Sequence, residues 1–167
     1  EDGGCDTSIL DDMLEQLKDY EGFVISKSTA PPKWYKDIFD FYTIEGAVAL
    51  QKRLKYWEGG KLVMCISELP YKCPVAPIEF VCLAEAFFTQ KGIRDKVDIT
   101  YVTPMSGAFT KPVASKMLGD LLEEKNIKVI PDFYLERVDN ENKKLISYDE
   151  KEIDFDFNNR PKRFVDL

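Results

Sequence analysis

Apolar positions recur along this chain first at helical spacing and later on alternate residues, and the change of period divides it. Near the start, Ser8 with Asp11 resembles a capping box, and Ile9, Leu10, Met13, Leu14 and Leu17 follow at helical spacing until Tyr20-Glu21-Gly22 stops the run. Phe23-Val24-Ile25 is a short strand candidate, and Pro31-Pro32 breaks the chain before an aromatic segment holding Trp34, Tyr35 and Phe39. Thr43 is placed to cap a helix carrying Ala47, Leu50, Leu54 and Trp57 on one face and ended by Gly59-Gly60. The apolar run Lys61 to Ile66 then reads as a buried strand, Ile78 to Gln90 as a helix and Asp98 to Val102 as a second strand. Val113, Met117, Leu118, Leu121 and Leu122 define another amphipathic helix, and Asn126 precedes a third strand, Ile127 to Ile130.

From Asp132 the pattern becomes that of strands. Phe133 to Val138, the turn Asp139 to Asn142, Lys143 to Tyr148, the turn Asp149 to Lys151, and Ile153, Phe155 and Phe157 alternating with acids predict an antiparallel meander. The fold class expected is therefore α/β: a Rossmann-like parallel sheet, doubly wound with flanking helices, closed by an antiparallel β-meander. Residues 1–42 read as an amino-terminal arm, 43–157 as the Rossmann-like domain and 158–167 as a tail.

Composition narrows the function classes. With 167 residues, 44% of them hydrophobic, the chain is large enough to bury a core. The formal charge of −7 and the single short basic cluster Arg160-Pro161-Lys162-Arg163 argue against a nucleic-acid partner. Histidine is absent, which removes Ser-His and Cys-His pairs and makes a transition-metal site improbable, so no metal is expected and chemistry falls to Cys, Lys or carboxylates. Cys5, Cys65, Cys73 and Cys82 show no C-x-x-C spacing, which favours a reducing, cytoplasmic setting. The longest apolar stretch, Phe80 to Phe88, is interrupted by Glu85 and falls short of the roughly 18 residues of a membrane span, so no transmembrane segment is expected. The chain opens on Glu1-Asp2-Gly3-Gly4 without Met, and is expected to be part of something larger.

The junction after the first parallel strand carries the chemistry. A dinucleotide-binding loop needs G-x-G-x-x-G there and an acidic residue about 20 positions on. This chain has Tyr71-Lys72-Cys73-Pro74-Val75-Ala76-Pro77 instead, and its second strand ends in Thr103-Pro104. The FAD-binding fingerprint is absent and a nicotinamide cofactor is disfavoured. A thiolate is the reactive form of Cys, and Lys72 beside Cys73, with a helix beginning near Pro77, supplies positive potential to such a thiol. The alternative for Cys73 is a small buried apolar residue, which is how Cys65 and Cys82 read; Cys5 sits in a polar opening.

Pro70-Tyr71-Lys72-Cys73-Pro74-Val75-Ala76-Pro77-Ile78-Glu79, with Gly92-Ile93-Arg94-Asp95-Lys96-Val97, Tyr101-Val102-Thr103-Pro104, Gly107-Ala108-Phe109-Thr110-Lys111-Pro112 and Leu122-Glu123-Glu124-Lys125-Asn126-Ile127, resembles sulfide:quinone oxidoreductase, of the FAD-dependent pyridine nucleotide-disulfide oxidoreductases. The resemblance runs from Phe41-Tyr42-Thr43 to Asp156, about two-thirds of the chain, and lies mainly in the second, dinucleotide-type domain of such flavoproteins. It implies a catalytic Cys73, with Lys72 as its electrostatic support, that takes up sulfide sulfur as a persulfide while electrons pass through FAD to quinone. It also implies that FAD comes from a missing domain or a partner subunit, that the second redox cysteine lies outside this chain, and that the protein sits peripherally at a membrane. The rival from another class is a non-catalytic interaction module that has lost flavin binding and grips a partner through the aromatic arm Trp34 to Tyr42; the plainer alternative for those rings is packing onto the core.

Overall fold

The protein is described by a computed structural model over residues 38–67, 69–71 and 73–156. The helix expected at Ser8 to Leu17, the strand at Phe23 to Ile25, Cys5, Trp34, Tyr35, Lys72, Phe157 and the basic cluster at Arg160 to Arg163 lie outside these residues.

Thr43 caps α1 (Ile44–Tyr56) as its sequence position predicts: its backbone is extended and its Oγ1 accepts from the Gly46 amide at 3.0 Å. Asp40 Oδ1 in turn accepts from the Tyr42 and Thr43 amides at 2.9 and 2.8 Å. Of the expected inward face of α1, Leu50 and Trp57 are buried and Leu54 packs against the core, and only Ala47 departs from it. Gly46 and Leu50 are buried while Ala47 is exposed, because Gly46 lies so close to Asp40 that an added Cβ would meet its carboxylate. Trp57, just past the helix, is buried and meets Phe88 edge to face with ring centroids 5.3 Å apart.

Gly59 and Gly60, at φ of 138° and 125°, turn the chain into β1 (Gly60–Cys65). α2 (Ala76–Gln90), a short 3₁₀ turn (Arg94–Lys96) and β2 (Val97–Val102) follow, then α3 (Pro112–Glu124) and β3 (Ile127–Ile130). The three strands pair in parallel in the order β1-β2-β3, with Leu62 opposite Ile99 and Ile99 opposite Ile127. The doubly wound core expected from the sequence is therefore a single winding among the described residues, since the strand order never reverses. Right-handed crossovers in one direction bring α2 and α3 to one face of the sheet.

The core holds Trp57, Leu62, Val81, Phe88, Ile99, Tyr101, Leu122 and Phe133. The expected face of α3 is corrected. Leu122 is buried and Leu118 half-buried, but Val113 and Met117 are 75% and 68% exposed, and Leu121 is also exposed. Its apolar arc is wider than the strip that the sheet covers.

The meander forms as expected from β4 (Leu135–Asp139), β5 (Lys144–Ser147) and β6 (Glu152–Asp154), paired antiparallel in sequence order. Asp139 builds its first turn by accepting from the Glu141 and Asn142 amides, and Lys143 takes the left-handed conformation that follows. Val138, Leu145 and Phe155 join the core, and the Asp156 amide bonds the Lys61 carbonyl at 3.1 Å. Two cations cap helix ends from outside. Lys91 Nζ donates to the carbonyls of Leu54, Lys55 and Trp57 at the end of α1, and Arg94 to those of Lys125 and Asn126 after α3.

Candidate functional site around Cys73

The loop between β1 and α2 leaves the carboxyl end of the parallel sheet, where ligands of open α/β sheets sit. The Ile66 amide carries the ladder one residue past β1 by donating to the Val102 carbonyl at 2.9 Å. Beyond it come a cis Leu69-Pro70 peptide, half-buried Tyr71, half-buried Cys73 and exposed Pro74 and Val75. Val75 is the residue before α2, with no side-chain cap, and Pro77 is the second helical residue rather than the first, buried against the core. Tyr71 Oη donates to the Pro74 carbonyl at 3.2 Å, so its ring bridges the turn that carries Cys73.

Two more phenols converge on this loop. Tyr42 reaches it from the segment before α1 and Tyr101 from the end of β2, where its hydroxyl donates to the Ala108 carbonyl at 3.3 Å. Burial, above all, raises the pKa of Tyr42 and of Tyr71 above the ordinary phenol value, and the nearby charge of Cys73 raises both further. Tyr101 is raised as well, mainly by burial and then by Tyr71. In the sequence, Tyr42 belongs to the aromatic arm and Tyr71 and Tyr101 to segments that carry the family resemblance. Nothing in their spacing marks a cluster, because residues 42, 71 and 101 meet only through the fold.

The other described cysteines stand apart from this chemistry. Burial pushes the Cys65 thiol up to about 12. Cys82 is also raised by burial, with Lys125 opposing and Glu85 adding to the effect. Lys72 lies outside the described residues. Thr103, in place of a ribose-binding acid, is buried and structural: its Oγ1 accepts from the Met105 amide, and its carbonyl accepts from the Phe133 amide.

Beside the loop is an apolar cavity of about 130 Å³, walled by Phe39, Phe41, Tyr42, Tyr71, Phe80 and Phe155 among others. Phe41 stacks on Phe80 with centroids 5.0 Å apart, so the described end of the aromatic segment packs onto the core. The loop does not fit the pyrophosphate of a dinucleotide. Its two prolines donate no N–H, and the left-handed glycines of the described residues, Gly59, Gly60 and Gly92, lie before β1 and after α2 instead.

No family model matches the chain. It is 25% identical over 95 residues to the mitochondrial sulfide:quinone oxidoreductase of Mus musculus, a match covering 57% of this chain and 21% of that protein. Among solved structures it is similar to the sulfide:quinone oxidoreductase of the hyperthermophilic bacterium Aquifex aeolicus, with a TM-score of 0.62, 18% identity, and coverage of 78% of this chain and 31% of that one. It is also similar to a chain of the covalent putidaredoxin reductase-putidaredoxin complex, with a TM-score of 0.50, 14% identity, and coverage of 68% and 25%. The chain thus spans about a fifth of the length of the curated relative, and its relationship to sulfide:quinone oxidoreductase is a partial one.

Proposed function

We propose, from that partial relationship, that this chain is a portion of a flavin-dependent sulfide:quinone oxidoreductase-like enzyme in which Cys73 accepts the sulfur of sulfide. The observation that carries the reading is Cys73 itself: a half-buried thiol on a proline-flanked loop at the carboxyl end of a parallel sheet, in a turn that the Tyr71 hydroxyl bridges by bonding the Pro74 carbonyl. Lys72 gives it electrostatic support. A persulfide at Cys73 would form as its sulfur bonds the sulfide sulfur, with the S–H protons of thiol and sulfide passing to solvent and two electrons to the oxidant. FAD, supplied from outside the described residues, would be the acceptor of those two electrons and quinone the final one; the β1-α2 loop takes no part in holding its phosphates. No helix of the described residues is long and apolar enough to cross a membrane, and the reading places the enzyme peripherally at one.

The test is made on the purified chain with sulfide, added FAD and a short-chain quinone. The Cys73 peptide gains the mass of one sulfur atom, a gain reversed by dithiothreitol and absent without quinone. A Cys73 peptide of unchanged mass, in a sample whose absorbance shows bound flavin, overturns the assignment. A second reading, an interaction module without flavin, is favoured by the exposed stripe Val113, Met117 and Leu121 on α3. It predicts that the Cys73 peptide keeps its mass even when sulfide, quinone and a flavin-bearing domain or subunit are all present.

A further inference from the structure

We infer that Tyr71 is the positioning residue of the Cys73 thiol: its hydroxyl closes the turn that carries Cys73 and holds the thiol half-buried, and loss of that one donor frees it. This deepens the reading of Cys73 as a reactive thiol and rests on it.

Tyr71 Oη donates to the Pro74 carbonyl at 3.2 Å, so one side chain reaches across Cys73 from two residues before it to the residue after it. Among the described residues, this is the one hydrogen bond in which Tyr71, Cys73 or Pro74 takes part. Its anchor is the interior: the Tyr71 ring packs against the core and lines the apolar cavity beside β1 with Phe41, Phe80 and Phe155. Little else ties the turn down. Pro74 has no N–H to donate, Pro74 and Val75 are exposed, and Val75 opens α2 without a side-chain cap. Cys73 is nonetheless half-buried, and the Tyr71 closure is what the described residues offer to keep it so.

The surroundings of the phenol keep the donor in place. Its titratable neighbours are Cys73 on its own loop, Tyr42 from the segment before α1 and Tyr101 from β2, with Asp40 and Cys65 on the walls of the same cavity. What α2 and the meander present to that cavity is apolar, Pro77 and Phe80 from the one and Leu135 and Leu145 from the other among them. Burial first, and then charge at Cys73, keep the Tyr71 phenol protonated past its ordinary 10.0. The closure therefore stands throughout the neutral range, and ionisation of Cys73 favours the protonated phenol that makes it. Once the phenol itself ionises, its oxygen has no hydrogen to give the Pro74 carbonyl, and the turn opens.

The test is the rate at which iodoacetamide labels the Cys73 peptide, read by mass spectrometry from about pH 7 to about pH 10.5 in the native chain and in Tyr71→Phe. The variant keeps the ring and removes the donor, and near neutral pH its Cys73 reacts about fivefold faster than in the native chain, the factor carried by one net hydrogen bond. In the native chain the rate climbs a second time above about pH 10, beyond the rise that thiolate formation gives to free cysteine, and Tyr71→Phe lacks that second climb. The Cys65 peptide, whose thiol is desolvated in β1, stays unlabelled in the same digests and shows that both gains are local to the turn. Should Tyr71→Phe fail to fold, the native profile decides alone, and a profile without the second climb overturns the inference. A folded Tyr71→Phe that reacts at the native rate or keeps the second climb overturns it too, as does a climb that Cys65 shares; each leaves the reactive thiol standing. A Cys73 that neither chain labels overturns the reactive-thiol reading and this inference with it.

Discussion

Three half-buried thiols in one small domain differ because of what surrounds each sulfur. Cys65 lies in β1 with its thiol desolvated and pushed up to about 12, whereas Cys73 stands on the loop that follows. Iodoacetamide at pH 8 will therefore leave the Cys65 peptide unlabelled in the native chain and label it fully in urea, as mass spectrometry of the digests will show. At this scale the sequence was informative about types and silent about company. The prolines and the thiol at positions 73 to 77 were legible as an unusual junction. The convergence of Tyr42, Tyr71 and Tyr101 on it was not, because side chains about 30 residues apart are joined by crossovers of the sheet and by no local period.

Elements are where periodicity served best and where its limit shows. The cap at Thr43, the three parallel strands and the meander turns were each readable from local chemistry that the structure retains. The burial of α3 was not, since a moment points to an apolar arc and cannot say which edge of that arc a neighbour covers. Nor was the tie between α2 and the end of α3. Lys125 reaches Glu85 at 2.8 Å, and this bond, before any other cause, holds the Glu85 carboxyl below its ordinary 4.5. The sign follows. With the folded value lower than the unfolded one, the unfolded chain binds more protons in that interval, so the contribution is present above about 4.5 and is lost as pH falls through the folded value. Urea unfolding measured from pH 6 down to pH 3 will show stability falling with acid, and Glu85→Gln will flatten that part of the slope.

For the molecule as a whole, one winding of a parallel sheet and one meander share a core, so positions weigh very unequally. Phe88 is fully buried against Trp57, and Phe88→Ala will cost about 3–5 kcal/mol by loss of burial and the cavity left behind. Val113→Lys with Met117→Glu changes two large apolar residues on α3, yet both are exposed, and the pair will stay within about 0.5 kcal/mol of the parent. Chemical denaturation of the three chains checks both statements. The class of fold was legible because β-α-β-α-β followed by alternating strands permits few architectures. Its winding was not, since strand order depends on which edge each crossover chooses.

The bond from the Asp156 amide to the Lys61 carbonyl has a consequence for the order of synthesis. β1 leaves the ribosome long before Phe155 and Asp156, so its outer side is made early and covered late. In a parallel ladder bonded as Ile66 is to Val102, the odd-numbered residues of β1, Val63 and Cys65 among them, point their amides and carbonyls away from β2. Until Asp156 has been made, the Lys61 carbonyl, on the side of β1 away from β2, lacks the amide that pairs it among the described residues.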